Sequence, residues 1–150
     1  MKPILYSIII LSLSSCASIN KTHQILPYEN YLLYVNSLDV KNYDLSVSML
    51  IKKNRVEFMA TKNTESFNDF FPFFSSLNKV VEKEISHYEG FSGLKNCLTI
   101  NGLDDKGKPV SINLELLNEK DSWKLSYVQF MYHDSKEEYP SVAVCPPNPQ

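Results

Sequence analysis

Residues 97–116, CLTINGLDDKGKPVSINLEL, decide the fold class. Leu98 and Ile100 alternate with Thr99 and Asn101, and Val110, Ile112, Leu114 and Leu116 alternate with Ser111, Asn113 and Glu115. A period of two belongs to a strand, whose successive side chains point to opposite faces. Between the runs, Asp104-Asp105-Lys106-Gly107 is turn chemistry, with short acidic side chains that bond local backbone and a glycine free to take positive φ. The spacing predicts an antiparallel hairpin.

Downstream, Asn118 to Asp121 reads as a second turn and Ser122 to Tyr132 as a third strand. Its alternation slips: Trp123, Leu125 and Tyr127 share one parity, and Val128, Phe130 and Tyr132 the other. A β-bulge near Tyr127, or burial on both faces, accounts for the slip. The tail 139–150 holds four prolines and Cys145, which excludes further helix and predicts an extended strap across the surface.

Upstream the period becomes helical. Phe70, Phe73, Phe74, Leu77, Val80, Val81, Ile85 and Tyr88 recur three and four residues apart, and Gly90 stands where a helix-ending glycine belongs. This predicts a long helix, regular from Pro72, after a distorted turn in which Ser66 and Asp69 resemble a capping box. Pro27 suits a first helical turn, and Tyr28, Tyr31, Leu32, Val35 and Leu38 then share a face. Asn42 is an N-cap for a helix over 43–51 that turns Leu45, Met49 and Leu50 inward. Arg55 to Ala60 reads equally as an edge strand or as continuing helix. The expected fold is α+β: N-terminal helices packed on a curved antiparallel sheet, with Trp123 and Leu125 against Phe73, Leu77 and Val80 of the long helix.

The first residues are an address. Lys2, the apolar stretch Ile4 to Leu13 and the small residues Ser14 and Ser15 make a secretory signal over 1–15, too short for the ~20 apolar residues that span a bilayer. Leu13-Ser14-Ser15-Cys16 resembles the lipobox of bacterial lipoproteins. That resemblance implies cleavage before Cys16, acylation with chains such as palmitate, and, with Ala17 following, sorting to the outer membrane with the domain in the periplasm. Residues 16–26 are a tether, 27–138 the domain and 139–150 a Pro-rich tail. The compartment is oxidising, and with Cys16 consumed by lipid the remaining pair, Cys97 and Cys145, is expected to form a disulfide that straps the tail over the outer face of the sheet, covering Phe130.

Fifteen Lys+Arg against seventeen Asp+Glu give a net charge of -2, which argues against nucleic acid as a partner. The chemical signals are few. His23, His87 and His133 lie far from one another and from any cysteine at metal-ligand spacing, so no metal or cofactor is implied. His133-Asp134 are neighbours on a strand and face opposite ways. Glu82 and Glu84 mix with Lys79 and Lys83 as on a solvated helix face. The serines lack a nucleophile-elbow pattern.

Leu38-Asp39-Val40-Lys41-Asn42-Tyr43-Asp44-Leu45, a Phe-rich helix, a hairpin and Asp121-Ser122-Trp123-Lys124-Leu125 are together similar to the NTF2-like (cystatin-like, SnoaL-like) superfamily. The resemblance spans roughly 27–132 and implies a cone with a pocket between helices and sheet. Phe70, Phe73, Trp123 and Tyr127 would give that pocket apolar walls. Tyr31, Tyr34 and Tyr127 could reach it, but no carboxylate occupies an inward strand position as an isomerase would need. The reading is therefore a non-enzymatic binding or adaptor lipoprotein, held to the membrane by lipid, for an envelope protein or a small apolar ligand. The alternatives are an immunity protein against a periplasmic toxin and an isomerase- or dehydratase-like enzyme.

Overall fold

A computed structural model describes residues 25–39, 42–61 and 80–147. Helices α1 (Pro27–Asp39), α2 (Tyr43–Ser48) and α3 (Lys52–Thr61) precede strands β1 (Lys83–Ser92), β2 (Lys95–Leu103), β3 (Pro109–Glu119) and β4 (Ser122–Tyr132), followed by a 3-10 turn, Lys136–Glu138. The strands form an antiparallel meander in the order β1-β2-β3-β4. The architecture is α+β.

The alternation in 97–116 sets the two faces. Leu98 pairs with Leu114 and Ile100 with Ile112, and these four residues with Leu116, Leu125 and Val128 meet Tyr31, Tyr34, Met49, Leu50 and Phe58 of the helical side. Each such aliphatic side chain contributes about 1.5–3 kcal/mol when fully buried. Register on β4 is kept by the expected bulge: Glu115 opposes Tyr127 and Leu116 opposes Leu125, so Ser126 is the extra residue. The spare groups are used. Asn54 Nδ2 donates to Ser126 O at 2.8 Å, and Ser126 Oγ donates to Glu115 Oε1 at 3.0 Å.

The bulge also corrects one expectation. It moves Val128 and Phe130 back to the helix face, Phe130 opposite Ile112, so the strap does not cover Phe130. Beneath the strap lies instead a polar layer that is wholly paired. Thr99 Oγ1 donates to Asn113 Oδ1 and accepts Val144 N–H, Asn101 Nδ2 donates to Pro140 O, and Lys95 Nζ reaches the buried Glu115 at 2.6 Å. Cys97 and Cys145 join, with Cα atoms 5.0 Å apart, and Tyr139 Oη donates to Gly102 O.

The largest correction concerns 83–92. The long helix cannot extend through Ile85 and Tyr88, because Lys83–Ser92 is a strand paired with β2 from Lys83↔Leu103 to Ser92↔Lys95. Its expected portion over 70–79 lies outside the described residues, as do the Ser66/Asp69 turn, Phe73 and Leu77. Ile85 is the extra residue of a bulge between Glu84 and Ser86, so its three-residue spacing from Tyr88 marks no helical face. Gly93, at φ 64, supplies the two-residue turn into β2 that the helical reading missed. Gly102 answers the same bulge: a Cβ there would stand 2.5 Å from Lys83 O, so the two backbones approach as only glycine permits.

The helices depart in smaller ways. Asn42 caps α2 as expected, its Oδ1 accepting Leu45 N–H, but α2 ends at Ser48. Met49 O then accepts Leu125 N–H and Leu125 O accepts Ile51 N–H, an interlock that covers part of the β4 edge. Residues 52–61 resume as α3, which settles the open choice at Arg55 to Ala60 in favour of helix. Leu32 and Leu45 point outward, and α1 instead buries Asn30, Tyr31, Tyr34 and Ser37, because Ser37 Oγ and Ser46 Oγ bond at 2.7 Å and fix how α1 meets α2.

Candidate functional site

The described residues hold a groove of about 630 Å³ where α1, α2 and the β3–β4 turn converge. Leu33, Leu45, Met49 and Trp123 form its apolar lining, and Lys120, Lys124 and Asp121 its charged rim. Leu33 and Leu45 are each about two-fifths exposed there, 41% and 40%. Asn30 anchors the arrangement by donating from Nδ2 to Trp123 O.

The rim is set by an unusual turn. Lys120 and Asp121 carry φ of 53° and 61°, the left-handed pair that a two-residue hairpin turn demands. Asn and Gly fill such positions at little cost, whereas a lysine there is strained. Lys124 Nζ donates to Ser48 O at 2.6 Å, and burial, reinforced by the nearby Arg55 charge, lowers its pKa. Glu119 holds the rim from behind. It accepts Lys52 N–H and pairs with Arg55 Nη2 at 3.1 Å, and the Lys52 bond, followed by Arg55, lowers its pKa.

The sequence-derived pocket is not assembled as expected. Trp123 lines the groove on the helix face, but Tyr127 opposes Glu115 on the other face, so the two cannot line one cavity. Phe70, Phe73 and Cys16 lie outside the described residues. Tyr31 and Tyr34 are core, and burial raises both phenols. Leu33 and Lys120 were not singled out from the sequence, and Leu45 and Lys124 were read as a core position and part of a strand motif, not as groove residues; the readable signal was a two-residue loop without glycine between two alternating runs.

Two acid/base clusters stand elsewhere among the described residues. His133 Nε2 lies 2.8 Å from Ser111 Oγ, and its Nδ1 is 3.9 Å from Glu138 Oε2. The order resembles a nucleophile, base and acid, but the protons run the wrong way. Ser111 donates its hydroxyl hydrogen to Asn101 Oδ1, because Asn101 Nδ2 already serves Ser86 Oγ and Pro140 O. His133 must then donate to Ser111, so it cannot take that proton, and Ser111 is fully buried. Asp134 takes no part: its N–H donates to Glu138. A charge-balanced cavity of about 530 Å³ beside His133 is lined by Lys106, Lys108, Asp104 and Asp134.

The second cluster corrects the reading of Glu84 as part of a solvated helix face. From strand β1, Glu84 accepts Tyr28 Oη at 2.8 Å and meets His87 Nδ1 at 2.8 Å, while the rings of Tyr28 and His87 stack at 3.7 Å. Burial and the Glu84 bond push the Tyr28 phenol up to about 12. Such a phenol keeps its proton near neutrality, and the cluster fastens α1 to β1. No family model, curated protein or solved structure matches this chain.

Proposed function

We propose that this chain is a lipid-anchored protein of the bacterial envelope whose folded part is a non-catalytic binding module with an NTF2-like arrangement of helices on a sheet. Cys16 is the anchor in this reading and the outer membrane its site, with the domain in the periplasm. The groove at the β3–β4 turn carries the proposal. An apolar floor under two lysines and one aspartate suits an apolar side chain flanked by acidic groups, as on a protein partner, or a small apolar ligand with an acidic end. A turn kept in left-handed backbone by non-glycine residues is the kind of local strain that accompanies binding sites.

The test is capture from envelope extract with the anchored chain and with a Lys120→Glu/Lys124→Glu variant. A stoichiometric partner or ligand retained by wild type and lost from the variant supports the proposal. Equal retention by both, or none by wild type, removes it.

A further inference from the structure

In an antiparallel meander the β1–β2 and β3–β4 turns fall at one end of the sheet and the β2–β3 turn at the other. The β2–β3 turn carries Asp104, Asp105, Lys106 and Lys108. The β1–β2 turn is apolar instead. Leu94, in the turn itself, is 85% exposed and Phe91, at the end of β1, 70%, the two most exposed large apolar side chains among the described residues. Gly93 supplies the positive φ of this turn, and a leucine beside it has no group that bonds turn backbone, so the fold does not account for Leu94.

The chain enters the domain at this same end. Ile25 lines the groove together with Lys120 and Asp121 of the β3–β4 turn, and Tyr28 N–H donates to Glu89 of β1 at 2.9 Å. Ile25 and Leu26 are about half exposed. Glu29 accepts Leu26 N–H at 3.2 Å, so the carboxylates of Glu29 and Glu89 beside the entry are both engaged with backbone. The Phe91 ring lies 5.8 Å from that of Trp123, which joins the apolar turn to the groove. Across the sheet the two turns are two strand spacings apart, roughly 10 Å, so Lys120 stands near the apolar side chains.

Exposed apolar side chains gathered in one place mark contact with another surface. Nine residues separate Cys16 from Ile25, a reach of at most about 30 Å when fully extended, so an acyl anchor at Cys16 holds this end within that distance of lipid. We infer that this end of the sheet, with Phe91, Leu94, Ile25 and Leu26, seats on the surface of the bilayer. Its apolar side chains enter the boundary between headgroups and acyl chains, and Lys120 meets lipid phosphates. The surface is given by the fold, whereas the choice of lipid as its occupant rests on the Cys16 anchor of the proposed function. The groove opens beside this surface.

The full chain, purified from membranes, carries a fluorophore at Ser92→Cys beside the apolar turn or at Lys106→Cys in the charged one, both exposed positions. It is reconstituted on vesicles of phosphatidylethanolamine and phosphatidylglycerol that contain a nitroxide-labelled lipid as quencher. Quenching is expected to be at least about threefold stronger at the Ser92 site than at the Lys106 site. Phe91→Ser/Leu94→Ser is expected to make the two sites equal while the chain still floats with the vesicles. Equal quenching at both sites in an otherwise unchanged chain that floats overturns the inference and leaves the anchor standing, as does undiminished quenching in the double variant. Strong quenching at the Ser92 site in a chain whose Cys16 is unacylated supports the seated end and removes the anchor. Equal quenching with a dimer mass in detergent that Leu94→Asp reduces to a monomer gives this end to a second copy and overturns the inference. If the double variant fails to fold, Leu94→Asp takes its place, and undiminished quenching there overturns it.

Discussion

Removing the Cys97–Cys145 bond with the double variant Cys97→Ala/Cys145→Ala tests how the C-terminal strap is held. The strap carries Pro140, Pro146 and Pro147 and lies extended, so little backbone bonding of its own supports it. Its noncovalent ties to the sheet include Val144 N–H to Thr99, Asn101 to Pro140 O and Tyr139 to Gly102 O. The bond closes a separation of 48 residues, for which the chain-entropy relation gives about 4 kcal/mol. A kilocalorie shifts the melting temperature of a domain this size by roughly 2–5 °C, so the loss should lower it by about 8–20 °C. Thermal unfolding of oxidised wild type, reduced wild type and the double variant is the assay, with hydrogen exchange at Val144 as the local probe. Reduced wild type and the variant should melt together, well below the oxidised protein, and Val144 should lose protection. A double variant melting within about 2 °C of oxidised wild type would refute the reasoning.

Gly102→Ala forces a methyl against Val81 and the Lys83 carbonyl, and should destabilise by about 1–3 kcal/mol as overpacking does, read as a lower denaturation midpoint at unchanged slope. Replacing Lys120-Asp121 by Asn-Gly relieves the left-handed turn and should stabilise by roughly 0.5–1 kcal/mol; a lower midpoint would show that the lysine is not strained. Glu119 has a lowered folded-state pKa, so its contribution is fully present above the unfolded value of about 4.3 and is lost as pH falls through the folded value. The pair is about one-third exposed, which limits that contribution to less than about 1 kcal/mol; Glu119→Gln should flatten stability against pH below about 4.5 and leave the alkaline limb unchanged.

What could be read from the sequence was what is local. The hairpin of β2 and β3, the Asn42 cap and the bulge beside Tyr127 each follow from a few adjacent residues, because alternation, capping and parity are properties of short windows. Strand β1 was hidden for the same reason. Ile85, Tyr88 and Gly90 fit a helix ending, and only pairing with β2, together with the Gly102 notch that accepts the β1 bulge, makes them strand. The site was the least legible part. Its groove takes residues from α1, α2 and the β3–β4 turn, which no short window of sequence brings together. The paired polar face under the strap likewise depends on residues 39 and 45 positions away, which no periodicity records.

Anchoring through Cys16 is tested most directly by growing cells with an alkyne fatty acid and determining the mass of the N-terminal peptide of the purified protein. Wild type should begin at Cys16, carry the label and sediment with membranes, whereas Cys16→Ser should be unlabelled and soluble. A wild-type chain that retains residues 1–15, or that begins at or before Cys16 with a free thiol, would contradict the lipid-anchored account.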